Sequence, residues 1–105
     1  MTQQKQHQQS LEKAILNSHH ALNSSQDAEQ AVEQAQISSD PQLLQQAQQI
    51  VGQANREVHE AEQRLTAEAN ESQEPQTVQV LEQLEQAKQD LAEAAERTEQ
   101  PKQMR

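Results

Sequence analysis

A chain of 105 residues with 17 acidic against 8 basic side chains, a net charge of -9 and no aromatic residue can build one small domain at most, with few large side chains to bury. That balance argues against a nucleic-acid partner, which needs clustered lysines and arginines to displace counterions from phosphate, and the lack of cysteine excludes disulfides and thiolate metal sites. No apolar run reaches the ~18 residues of a membrane span, and the opening "MTQQKQHQQS" has no signal-peptide segment, so no membrane partner and a cytoplasmic location are expected.

Composition alone points to disorder, because Leu, Ile and Val together number only 17 in an acidic chain. Their spacing points the other way. Residues 1–9 carry no apolar pattern and are expected to form a disordered polar tail. From about Ser10 to Ile37 the chain reads as helix. Ala14, Ala21, Ala28 and Ala35 fall seven apart, with Leu11, Ile15, Leu22 and Val32 on the same side. "NSSQD", Asn23 to Asp27, has loop propensity, yet the alanine series crosses it without losing register, which predicts one continuous helix.

"ISSDPQLL" ends that helix and starts the next. The Asp40 carboxylate can accept from open backbone amides, and Pro41 at the first helical position loses no hydrogen bond. Helix 2 is predicted over 41–70, with Leu44, Val51, Val58 and Leu65 seven apart and Ala47, Ala54 and Ala61 three places after the first three. Pro75 opens a third helix over 75–98, where Val80, Ala87 and Ala94 run beside Leu84 and Leu91. Residues 99–105 are expected to be a second disordered tail.

These elements predict an all-α fold: a single domain over 10–98, an antiparallel three-helix bundle with alanine-rich heptad seams. Alanine at alternate seam positions lets backbones approach closely, so dispersion compensates for missing bulk. With a short turn at Ser39, facing positions of helices 1 and 2 should sum to roughly 79. Val32 then meets Ala47, Ala28 meets Val51, Ala21 meets Val58 and Ala14 meets Leu65. The alanine, glutamine and glutamate character, centred on "SSDPQLLQQAQQIVGQA", resembles small uncharacterised helical proteins of spore-forming Gram-positive bacteria. The resemblance implies a small cytoplasmic protein without a known reaction and assigns no site residue.

Residue chemistry is sparse. His20 falls opposite His59 in the hairpin register, but adjacent His19 and His20 diverge by about 100° around a helix and cannot share an ion; the histidines read as solvated, with no metal. No Glu-x-x-His spacing occurs, no glycine-rich loop can hold a phosphate, and the serines sit where capping explains them. Gly52, inside helix 2, marks either a close contact with helix 3 or an accident. Arg56 with Glu60 and Glu93 with Arg97 have the spacing of helix ion pairs.

No catalytic residue, cofactor or small-molecule substrate is therefore expected. Leu16, Ile37, Leu43 and Ile50 fall off the main seams, either covering helix 3 or forming an association face, with Leu43 and Ile50 as the candidate pair. The expected function is non-enzymatic helix association, with a helical protein or with itself as a homo-oligomer. The alternative is a hydrophilic stress or spore protectant, partly disordered in dilute solution.

Overall fold

The computed structural model describes residues 2–69 and 75–99, with side chains over 9–68 and 75–98. These residues form three α-helices and no strand: α1 (Thr2–Ser38), α2 (Pro41–Ala69) and α3 (Pro75–Glu99). The fold is an all-α three-helix bundle in which every helix touches the other two.

α1 begins eight residues earlier than the apolar pattern implies, so the segment expected to be a disordered tail is helical from Thr2. The reason is local. Residues 2–9 contain no glycine or proline, and once a helix is nucleated each added residue needs only its backbone hydrogen bond. Apolar spacing decides where a helix packs, not where it starts. α1 also runs unbroken through Asn23 to Asp27. At the other end α3 reaches Glu99, and the remainder of the expected C-terminal tail lies outside the described residues.

The turn between α1 and α2 is two residues long. Ser39 takes a left-handed conformation at φ 58, and its N–H donates to the Ala35 carbonyl at 3.0 Å. That geometry closes a helix C-terminus through a single residue in the left-handed region. Asp40 opens α2: its Oδ1 accepts from the Gln42 N–H at 2.9 Å and its carbonyl accepts from the Leu44 N–H at 3.0 Å. Pro41 occupies the first helical position, where no amide is needed. So short a connection makes α1 and α2 antiparallel neighbours.

α3 is antiparallel to α2 as well. Lys88 Nζ lies 2.9 Å from Glu62 Oε1, while Gln48 Nε2 donates to the Thr98 carbonyl at 3.1 Å. A later residue on α3 thus meets an earlier one on α2. The result is a rod measuring 62 × 18 × 15 Å.

Buried positions alternate by three and four along each helix: from Leu11 to Ala35 on α1, from Ala47 to Leu65 on α2 and from Thr77 to Thr98 on α3. Such alternation lays one continuous buried stripe along each helix. Nine of the 17 buried apolar residues are alanine and the others are leucine or valine. All eight residues of the pairs expected across the α1–α2 hairpin are buried. Counting outward from the Ser39 turn and, within one residue, from the Gln48–Thr98 bond, one larger side chain falls level with two small ones in three central layers, whereas Leu65 and Val80 share a layer with Ala14. Val58 stands level with Ala21 and Ala87, Leu84 with Ser18 and Ala61, and Leu91 with Ser25 and Ala54. Small neighbours leave room for each larger side chain.

Candidate interaction face

The Leu43–Ile50 pair stays outside this core. Both residues are 39% exposed and lie one heptad apart on α2. Ile50 borders a shallow groove with Ser24 and Asp27 of α1, which places it on the rim that α2 turns toward α1. α3 meets the opposite rim, through Gln48 and Glu62. None of the four off-seam residues is buried against α3: Leu16 and Ile37 are exposed too, Ile37 at 80%. Around the pair, Gln42, Gln46, Gln49 and Gln53 are exposed, and no Asp, Glu, Lys or Arg occurs from 41 to 55.

The histidines are not brought together. His20 lies in a polar groove between α1 and α2, with Asp27, Glu57, Glu60 and Arg64, whereas His59 lies between α2 and α3 beside Lys88 and Asn55. Hairpin register aligns heights along two rods but leaves the direction of each side chain to the helical wheel, and here the two directions differ. Among the described residues, no group of three His, Cys, Asp or Glu side chains is placed to hold a metal ion.

Among the described residues, two charged groups depart from their ordinary behaviour. Lys88 bonds both oxygens of Glu62, at 2.9 and 3.2 Å, and lies 3.3 Å from Glu85; these partners hold its ammonium above the usual lysine value. Among the described residues the ion pairs centre on Lys88, not on the expected Arg56–Glu60 and Glu93–Arg97 spacings. Glu29 is pushed above the usual glutamate value by burial first and by the neighbouring Asp90 next; Arg97 opposes the shift and Glu93 adds to it.

Four polar residues that spacing arguments left aside belong to the seam: Ser18, Ser25, Thr77 and Thr98. The Ser18 hydroxyl donates to the Ala14 carbonyl at 2.8 Å, Ser25 to Leu22 at 2.7 Å and Thr98 to Ala95 at 2.7 Å, so each is satisfied by its own helix. Thr77 Oγ1 has no hydrogen-bond partner among the described residues. Only the seven-residue series Leu11, Ser18, Ser25, Val32 would have shown the serines as core. Gly52 does not mark a tight helix crossing, since a Cβ built there would meet nothing within 4 Å. No family model, curated protein or solved structure matches the chain.

Proposed function

We propose that this protein is a small non-enzymatic helical module that works by helix-to-helix association, through the α2 face bearing Leu43 and Ile50. One observation carries the reading: two large aliphatic side chains, one heptad apart, remain exposed on a helix that buries Ala47 and partly buries Leu44 between them. Amphipathic helices commonly engage a partner helix through anchors at such spacing. The seam hydroxyls of Ser18, Ser25 and Thr98 are bonded to their own helices rather than to a histidine or carboxylate that could activate them.

The test compares immobilised wild type with a Leu43→Glu/Ile50→Glu variant in capture from the source cell. Proteins held by the wild type and lost by the variant are expected; identical sets from both would overturn the proposal. Circular dichroism of the free protein in dilute buffer addresses the competing protectant reading. A helical spectrum with a cooperative melt favours association, and a coil spectrum favours the protectant.

A further inference from the structure

We infer that the occupant of the Leu43–Ile50 face is a second copy of this chain, seated antiparallel across a two-fold axis. The inference rests on the proposed role of that face and adds the identity of its partner.

Charge distribution carries the argument. Each copy has a net charge of -9, so two copies repel over most of their surfaces, yet α2 carries no charged side chain between Asp40 and Arg56. The stripe of Gln42, Leu43, Gln46, Gln49, Ile50 and Gln53 falls within this span, and all six side chains are exposed. Asp27 and Glu57 share the groove that Ile50 borders on the α1 side, so two molecules of like charge meet with the least repulsion along the rest of the stripe, from Gln42 to Gln49. A basic partner would be drawn elsewhere, toward the acidic half of α2 that follows Arg56.

Chemistry adds the second part. A two-fold interface presents one patch to itself, so the patch must be self-complementary. Glutamine satisfies that condition because its amide both donates and accepts, whereas a patch of one ionic sign cannot. In an antiparallel arrangement Leu43 of each copy meets Ile50 of the other, and glutamines flank the contact. A stripe on one helix falls below the ~1,200 Å² buried by standard stable interfaces, so association in the micromolar range or weaker is expected.

Sedimentation equilibrium at physiological salt, from about 10 µM to about 1 mM protein, is the test. The wild type is expected to pass from monomer to dimer over that range. Leu43→Glu and Ile50→Lys, each alone, are expected to remain monomeric with unchanged helical circular dichroism, because both positions are exposed. Mixing those two variants should restore a dimer, since the new carboxylate faces the new ammonium across the axis. Gln46→Glu with Gln49→Glu, which leaves both aliphatic residues in place, should weaken the wild-type dimer by like-charge repulsion. A wild type that stays monomeric at about 1 mM, a dimer that survives both single variants, or no restoration on mixing overturns the inference. A monomeric wild type with capture that still depends on Leu43 and Ile50 removes the second copy as partner and leaves the association face standing.

Discussion

Glycine in the middle of a helix costs about 1 kcal/mol relative to alanine unless its missing side chain makes room for something. At Gly52 nothing occupies that room. Gly52→Ala is therefore expected to stabilise the bundle by up to about 1 kcal/mol, read as a higher midpoint in thermal and urea melts; a lower midpoint would mean that α3 packs closer than described. Glu29 makes a pH-dependent prediction. Its folded value lies above its ordinary one because burial, Asp90 and Glu93 outweigh Arg97, so the fold favours the protonated acid. That contribution is complete below the ordinary glutamate value and is lost as pH rises through the raised one. Glu29→Gln should thus raise the melting temperature at pH 7 and leave it unchanged near pH 3. A variant that melts lower at pH 7 would show that the attraction of Arg97 dominates.

At the scale of the helix, the strongest sequence signal was the seven-residue spacing of alanines, and it located both partners of the α1–α2 hairpin. Asp40 with Pro41 was equally informative, since the carboxylate that caps α2 is the one the dipeptide suggests. What spacing alone could not supply was direction around the helix. His20 and His59 share a height and face different grooves, and Gln48, off the seam by position, spans to the Thr98 carbonyl. Serines in the α1 seam were obscured for another reason: their loop propensity conflicts with their position, and continuous packing overrides it. The packing scheme is itself testable. Ala28→Leu or Ala54→Leu, each at a position no more than 2% exposed, should destabilise by about 1 to 3 kcal/mol through over-packing. Gln30→Leu, exposed on α1, should change stability by no more than about 0.5 kcal/mol. Equal tolerance in urea melts would contradict the alignment of small side chains against large ones.

For the molecule as a whole, the decisive comparison is between its thickness and the range of its charges. The rod is 18 × 15 Å in section, while the screening length is about 30 Å at 0.01 M salt and about 8 Å at 0.15 M. At low salt every acidic side chain acts on those across the bundle; at physiological salt only close neighbours do. Added salt weakens the Lys88–Glu62 pair but relieves the repulsion of a -9 chain, and the second effect is the larger because it involves many more charges. Melting temperature should therefore rise between 0.01 and 0.15 M sodium chloride, and a fall would mean that specific ion pairs dominate net repulsion.

A core in which alanine outnumbers every other residue also shapes the response to temperature. The heat capacity of unfolding grows with exposed hydrocarbon and shrinks with exposed peptide groups. Alanine methyls release little of the former while the unwound helices release much of the latter. Calorimetry should accordingly yield a heat-capacity increment below the ~12 to 15 cal/mol/K per residue of ordinary globular proteins. The stability curve of this protein is then shallow, and chilling weakens it less than it weakens a protein built around bulky side chains.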